Sequence, residues 1–341
     1  MVGIEEVAKL AGVSTATVSR ALSGKDHVSP KTRDKVLAVA NELNYVASSS
    51  AFTLATGRTR NIGVVLPYVD RWFFSVILES IEQVLIEHGY DLTLYNLSGG
   101  ASQREKIFSE FLRRKRVDGV LTVAVKLSEA ERDHLTKTLK PIIGIGGPIA
   151  GVRTLSIDDV DAGRKATQHL ITLGHTRIAL IGGGPKSEMD FHQPTLRRQG
   201  YIDALKQAGI EPPDEWTVES DFTMEDAYRA TKQILGDPQH SPTAIVCASD
   251  EMAFGAIMAT KDLGLRVPQD ISIIGIDNHD LADFYGLTTI SQEPRKQGER
   301  AALKMLELLD GSHTGELVNI ESNDTFPIEL MVRSSTARAT R

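Results

Sequence analysis

The sequence predicts an α/β protein in three parts. A small N-terminal helix-turn-helix headpiece comes first, then a short hinge or linker, then a two-lobed body of parallel sheets flanked by helices. Three observations carry this reading. In the first 45 residues apolar positions recur at helical spacing between capping residues. From Asn61 short apolar runs alternate with helical stripes, and the alternation restarts near Asp158.

The bulk numbers allow this. The chain has 341 residues, enough for two or three domains. It is 41% hydrophobic and 24% charged, ordinary for a globular protein. No apolar run approaches the ~18 residues of a membrane span. Met1–Glu6 has neither the basic region nor the apolar stretch of a secretory signal. The single cysteine, Cys247, rules out an internal disulfide and a cysteine metal cluster, and a cytoplasmic location is the expectation. The net charge of −7 hides an uneven distribution: residues 1–60 carry +3 and the remainder −10. A basic end on an acidic body suits a protein that touches phosphates with one end only.

Residues 1–46 form the expected headpiece. Ile4, Val7, Ala8 and Ala11 fall on one face of a first helix, which Gly12 stops. Ser14 supplies the N-cap of a second helix. There, at about 100° per residue, Thr15, Ala16, Ser19 and Arg20 share one face, while Thr17, Val18 and Ala21 share the other. The first face is small and polar with one arginine, so such a helix can enter a major groove about 12 Å wide. Ser29-Pro30 opens a third helix, an N-cap followed by proline in the first turn. Val36, Val39, Ala40 and Leu43 give its buried stripe. Caps and stripes alone fit any small three-helix bundle.

The residues themselves go further. Val7-Ala8, Ala11-Gly12-Val13-Ser14, Thr17-Val18-Ser19-Arg20, Val28-Ser29, Thr32-Arg33 and Leu43-Asn44-Tyr45 closely resemble the headpiece of the LacI (lactose repressor/GalR) family of bacterial transcription regulators. The resemblance implies that Thr15 and Ala16 select bases and that Arg20 reaches a base edge, where its fork suits guanine O6 and N7. It implies that Ser14, Thr17, Ser19, Ser29, Thr32 and Tyr45 hold phosphates, which sets register and not sequence. Residues 47–60 then match the family's hinge, which becomes helical on operator DNA. Leu54 takes the place of the leucine that wedges into the minor groove, where an apolar wedge trades unstacking energy for a bend. A plain flexible linker is the competing reading of the serine run. The hinge departs from the family in Ala47-Ser48, where Pro-Asn is common, and in Phe52, where an arginine is frequent.

In the body, Ile62–Pro67, Asp91–Tyr95 and Gly119–Val123 read as strands, and Gln103–Leu112 as a helix. Phe74, Ile77, Leu78, Ile81 and Leu85 mark a further helical stripe. After Asp158 a helix over Asp159–Leu173 is followed by strands at Arg177–Ile181, Ala244–Cys247 and Ile271–Gly275. Two sheets in succession make two lobes, and small ligands bind at the carboxyl ends of such strands. Ile157-Asp158-Asp159, Leu173-Gly174-His175, Gly200-Tyr201, Ser249-Asp250, Val267-Pro268 and Ile274–Asp277 resemble the family's sensor, which is related to periplasmic sugar-binding proteins (type I). The expected domains are therefore 1–46, 47–60 and 61–341. Within the last, the N-lobe covers about 61–158 and 292–321, and the C-lobe about 159–291 and 322–333.

By the same resemblance an effector pocket is lined by Phe73, Phe74, Gln193, Arg197, Phe222, Ser249, Asp277 and Gln292. The chemistry suits a sugar: Asp277 accepts from paired hydroxyls, Arg197 donates, and an aromatic face covers the C–H face of a pyranose. Blander readings stand beside it: Phe73 and Phe74 as core, Asp277 as a turn cap, one of Arg197 and Arg198 as a solvated charge. Arg71-Trp72 replaces the family's usual Asn-Pro, which leaves Trp72 as a candidate contact for ligand or dimer partner.

Other motifs lead nowhere. Gly182–Ser187 hints at a phosphate loop, but Pro185 stands where a glycine is required and has no N–H to donate. His169 and His175 read as structural, and Cys247 as an inert core thiol. No metal, cofactor or catalytic constellation is expected, so the chain does not read as an enzyme. The polar tail after Val332 lacks a leucine heptad, so a homodimer is expected rather than a zipped tetramer.

The resemblance thus implies a cytoplasmic, dimeric regulator, a repressor bound to palindromic double-stranded operator DNA, with a carbohydrate-like effector and no membrane contact. The alternatives are the same scaffold answering to a purine, nucleoside or phosphoprotein co-repressor, and a sugar-binding protein without specific DNA binding.

Overall fold

The computed structural model describes residues 3–22, 28–45, 53, 56–138, 140–182, 193–237, 241–311 and 324–339. The chain divides into two units: 1–61 together with 114–118, and the rest.

In the first unit, α1 (Ile4–Ala11), α2 (Thr15–Leu22) and α3 (Pro30–Glu42) enclose Val7, Ala8, Ala11, Val18, Ala21, Val36 and Ala40. Gly12 ends α1 at a φ of 66°, a left-handed conformation that a side chain would disfavour. Ser29 accepts the Thr32 N–H with its side chain, and Pro30 fills the first turn of α3. Tyr45 packs on this small core. In the connecting segment Thr53 and Thr56 are helical, and the Gly57 N–H donates to the Thr53 carbonyl at 2.8 Å. Leu54 lies outside the described residues, as do Ala47, Ser48 and Phe52.

The second unit holds two lobes, each a six-stranded sheet flanked by helices. The first lobe begins with β1 (Asn61–Leu66), α4 (Trp72–Glu87), β2 (Asp91–Asn96), α5 (Ala101–Lys106), β3 (Gly119–Val123), α6 (Glu129–Thr136), β4 (Ile142–Ile145) and β5 (Arg153–Ile157). The second lobe contributes α7 (Asp159–Thr172), β6 (Ile178–Gly182), α8 (Gln193–Gln207), β7 (Thr217–Glu219), α9 (Met224–Ile234), β8 (Ala244–Cys247), α10 (Asp250–Asp262), β9 (Ser272–Asp277), α11 (Ala282–Tyr285) and β10 (Thr288–Ser291). The chain then returns through α12 (Pro294–Leu309) and β11 (Asp324–Phe326) and finishes with β12 (Glu329–Met331).

Strand order is β11-β5-β4-β3-β1-β2 in one sheet and β12-β10-β9-β8-β6-β7 in the other. β1 pairs parallel with β3, β8 with β9 and β9 with β10, while β12 runs antiparallel to β10 at the edge. The central strands are buried along almost their whole length, as sheets covered on both faces require. α12 packs on α4 over Ala301, Ala302 and Met305, so this returning helix belongs to the first lobe.

Three details differ from the sequence reading. The helix expected over Gln103–Leu112 starts at Ala101 and turns into a π-helix over Ile107–Phe111. β4, β5 and the short edge strands are absent from the sequence reading. Residues 324–326 lie in the first sheet, with Asp324 opposite Leu155 and Phe326 opposite Ile157. The last crossing between lobes therefore follows Phe326 instead of preceding residue 322. Ion pairs from Asp324 to Lys304 (2.8 Å) and Arg153 (3.5 Å) hold that edge in place.

The second lobe depends on a close helix crossing. A Cβ at Gly163 of α7 would overlap the Arg197 carbonyl, and one at Gly200 of α8 would overlap the Val160 carbonyl. Two glycines thus let the helix backbones touch, although glycine in a helix costs about 1 kcal/mol. Gly200→Ala is expected to lower unfolding stability by about 1–3 kcal/mol through overpacking. Urea denaturation measures this, and a stability gain of the kind helix propensity alone favours would refute the close crossing.

Candidate functional site

Two surfaces bring candidate residues together. The first is the headpiece. Ser14 stands before α2, accepts the Thr17 N–H at 3.2 Å and shares a hydroxyl bond of 2.9 Å with Thr17. Ser29 and Thr32 repeat the arrangement at α3, with distances of 3.2 and 2.8 Å. Two helix N-termini thus carry paired hydroxyls beside backbone N–H groups, a setting that favours anions. Thr15, Ala16 and Arg20 are exposed, and Thr17, Ser19, Thr32 and Tyr45 are half-buried. Val18 and Ala21 face the core, so the outward face of α2 is the small polar one.

The second surface is a cleft of about 970 Å³ between the lobes. Phe73, Phe74, Gln193, Arg197, Phe222, Ser249, Asp277 and Gln292 all line it. They come from the start of α4, the start of α8, the loop before α9, the cap of α10, the end of β9 and the residue after β10. Strand ends gather them, because parallel strands deliver their carboxyl ends to one edge. Phe73 and Phe74 also pack on the first lobe's core, so lining and core roles coexist.

The floor of the cleft is charged and buried. The Arg197 Nε donates to Asp159 Oδ1 at 2.8 Å and its Nη1 to the Ala248 carbonyl, while Arg198 is exposed. The Gln292 amide donates to Asp277 Oδ1. Asp277 is only 5% exposed, and burial pushes its carboxyl well above the ordinary range. Arg197 opposes that shift, and Asp250 and Glu251 add to it. Asp250 lies behind, fully buried and pushed up to about 6 by burial. It accepts from the Thr289 hydroxyl at 2.6 Å and the His279 N–H at 2.8 Å. The backbone is strained where these groups meet: φ is 143° at Asp277 and 59° at Asn278, neither a glycine. The strained turn and the carboxyl raised by burial thus coincide at the wall of the cleft. Ser249 is committed to capping α10 through the Met252 N–H, which limits it to a wall position.

Sequence reasoning did not find the rest of the rim. Glu219, Asp221, Asp226 and Arg229 line the second lobe's side. Asp226 and Arg229 form an ion pair three residues apart on α9, a spacing visible in the sequence. Arg71 lies 3.7 Å above the Tyr68 ring and closes the other side. Trp72 does not line the cleft: its indole N–H donates to Asp280 at 3.0 Å, and its ring stacks on His279 at 4.5 Å. Both partners belong to the opposite lobe. A second tie crosses nearby, from the Gln193 amide to the Gly146 carbonyl at 2.7 Å.

The demoted groups are accounted for. His175 bonds to Thr243 (2.9 Å), Ser272 (3.1 Å) and the Ala337 carbonyl (3.0 Å), and His169 bonds to Thr336 (2.9 Å). Burial raises the Cys247 thiol and leaves it inert. Gly183–Ser187 lie outside the described residues. Among the described residues no helix is long and apolar enough to cross a membrane.

Comparison with known proteins gives two family matches. Residues 3–48 match "Bacterial regulatory proteins, lacI family", and residues 167–336 match "Periplasmic binding protein-like domain". The chain is 37% identical over 314 residues to the HTH-type transcriptional repressor PurR of Vibrio vulnificus, covering 90% of this chain and 92% of that one. It is 36% identical over 337 residues to the HTH-type transcriptional repressor CytR of Escherichia coli, covering 98% and 96%. Among solved structures, a lac repressor dimer bound to operator and the anti-inducer ONPF superposes with a TM-score of 0.83 at 28% identity, covering 98% and 99%. A complex of the regulator CelR with cellobiose gives 0.71 at 29%, covering 98% and 100%.

The charge on Asp277 has a measurable consequence. A carboxyl raised above its ordinary 3.8 holds its proton more tightly in the folded state. Its contribution to stability is therefore intact near pH 4 and is lost as pH rises through the raised value. Asp277→Asn, which keeps an acceptor for Gln292, is expected to raise the melting temperature of the ligand-free protein by about 2–4 °C at pH 7.5. The gain should vanish towards pH 4. Calorimetry across that range tests it, and a variant less stable than the parent at pH 7.5 would contradict the assignment.

Proposed function

The chain belongs to the LacI family of bacterial regulatory proteins, and on that premise we propose how its parts divide the work of a transcription repressor. It is a DNA-binding regulator of the repressor type, with a headpiece for operator DNA and a cleft for a small effector. The proposed division of the chain is 1–46 for DNA reading, 47–60 for the hinge and 61–341 for effector binding and dimerisation.

In this reading Thr15, Ala16 and Arg20 meet base edges. Ser14, Thr17, Ser19, Ser29, Thr32 and Tyr45 position the headpiece on phosphates, and Leu54 is the minor-groove wedge. The exposure of Thr15, Ala16 and Arg20 on a helix whose other face is buried supports it. The regulator acts in the cytoplasm and carries no catalysis of its own.

One observation carries the effector assignment: eight residues from separate stretches of the chain line a single cleft. Its chemistry suits a hydroxyl-rich ring. Asp277 with Gln292 accepts and donates to paired hydroxyls, and Phe73, Phe74 and Phe222 offer apolar faces to a sugar. A second reading, a nucleoside or purine, is favoured by the aromatic content of the same cleft. Bound effector would compete with or reinforce the ties from Trp72 and Gln193 across the lobes. A coupling of about 1–3 kcal/mol between cleft and headpiece changes operator affinity 5- to 150-fold.

The second copy of a dimer would seat on the C-lobe edge at Leu281, Phe284 and Tyr285. Phe284 is 86% exposed, a cost that a partner surface removes.

Three measurements test these assignments. A melting screen against cellobiose, monosaccharides, purines and nucleosides should find one class that adds about 2.7 kcal/mol at 100 times its dissociation constant. Stabilisation by none of them would remove both effector readings. Arg20→Ala should cost roughly 1–3 kcal/mol of operator affinity and relax preference at one base pair. Equal weakening on every sequence would make Arg20 a phosphate contact. Phe284→Asp should convert dimer to monomer in sedimentation, and an unchanged dimer would move the interface elsewhere.

A further inference from the structure

We propose that the exposed basic turn Arg113-Arg114-Lys115-Arg116, with Arg58 and Arg60, is a second DNA-contacting surface that binds the phosphate backbone of duplex flanking the headpiece's site. The proposal rests on the reading of this chain as a DNA-binding regulator. It assigns a contact outside the three headpiece helices.

Four consecutive cations stand out in a body whose residues after 60 carry a net charge of −10. All four are exposed, as are Arg58 and Arg60. The turn lies between the π-helical end of α5 and β3. It therefore sits at the amino end of β3, beside the amino end of β1, since Ile62 pairs with Gly119. Those are the strand ends away from the effector cleft, which is lined by Pro67 after β1 and Ala124 after β3. They are also where the segment from the headpiece joins the body. Twelve residues lie between Tyr45 and Arg58, so even a fully extended connection keeps this surface within about 45 Å of Tyr45.

The surface is built and not merely a loose run of charge. Asp118, the one carboxylate of the 114–118 segment, accepts the Thr59 N–H (2.8 Å), the Thr59 hydroxyl (2.9 Å) and the Arg60 N–H (2.8 Å). The Asn61 amide donates to the Arg116 carbonyl at 2.9 Å, and the Asp118 N–H donates to the Asn61 carbonyl at 2.7 Å. The Arg116 N–H closes on the Arg114 carbonyl at 2.7 Å. Backbone groups and Asp118 thus clamp the two basic segments together, and the cationic side chains remain exposed. A cluster of cations held on a short turn is matched by the regular charge spacing of a duplex, about one phosphate per 1.7 Å of axis. Such contacts carry no sequence information.

The test uses the full-length protein and fluorescence anisotropy on three duplexes: a long one containing the operator selected from random DNA, the same operator trimmed to the bases read by the headpiece, and a long unrelated sequence. The variant carries Arg113→Gln, Lys115→Gln and Arg116→Gln, which leave the clamping backbone intact. On both long duplexes the slope of log K against log salt should fall by about three when one protomer's turn reaches DNA and about five when both do, since each phosphate contact contributes roughly 0.9. Affinity should drop by the same factor on operator and unrelated DNA, and on the trimmed operator parent and variant should coincide. Unchanged slopes on the long duplexes overturn the proposal. So does a loss of sequence preference, which would mean that the turn acts by orienting the headpiece. Lys115→Glu alone, a milder change, should alter the slope in the same direction if the triple variant fails to fold, and an unchanged slope there also overturns it. If the parent protein shows no sequence preference on any duplex, it is the regulator reading that fails, not this surface.

Discussion

Buried charge at the floor of the interlobe cleft is the constraint on which the rest of the sensor depends. Arg197 is 5% exposed, and Asp159 and the Ala248 carbonyl receive its donors. The two partners come from different elements, so α7, α8 and the end of β8 must meet within hydrogen-bond reach. The glycines at the α7–α8 crossing allow that approach, since any side chain at Gly163 would strike the Arg197 backbone itself. Removing one member of a buried pair leaves an uncompensated charge, so the arrangement is all or nothing.

Asp277 and Asp250 occupy the opposite situation. Two carboxylates lie close behind one another, both raised by burial; Asp250 adds to the shift of Asp277, while Thr289, the His279 N–H and Arg333 oppose that of Asp250. Asp250 is satisfied by Thr289 and the His279 N–H, which makes it a brace for the turn at Asp277 and Asn278. Asp277 retains the larger imbalance and faces the cleft. The strained turn and the raised carboxyl are costs in the ligand-free protein, and a hydroxyl donor between the lobes would repay them.

The geometry of the sheet separates two tasks. Carboxyl strand ends gather the effector candidates and the ties from Trp72 and Gln193. Amino ends receive the segment from the headpiece and hold it with Asp118 and Asn61. Between them run strands of five or six residues, roughly 20 Å at the usual rise.

Much of this was legible in the residues. Helical periodicity with Gly12, Ser14 and Ser29-Pro30 determined the headpiece, because caps and stripes are local properties of a short chain. The apolar runs at Ile62–Leu66, Gly119–Val123 and Ala244–Cys247 determined the parallel sheets, since strands buried on both faces must be apolar throughout. Resemblance to a family then pointed to Phe73, Phe74, Gln193, Arg197, Phe222, Ser249, Asp277 and Gln292, and all eight line one cleft. What lay beyond the sequence was everything set by long-range pairing. The edge strand at Asp324–Phe326 joins the first sheet because Lys304 and Arg153 meet Asp324 across the fold, a contact no local pattern encodes. Trp72 reads as a possible ligand contact along the chain, yet it faces Asp280 and His279, more than two hundred residues away. The sequence alone determined which elements form, because short-range propensity and periodicity suffice for that. Only the tertiary structure decided which side chains meet across the lobes, because those meetings are set by strand order and helix approach.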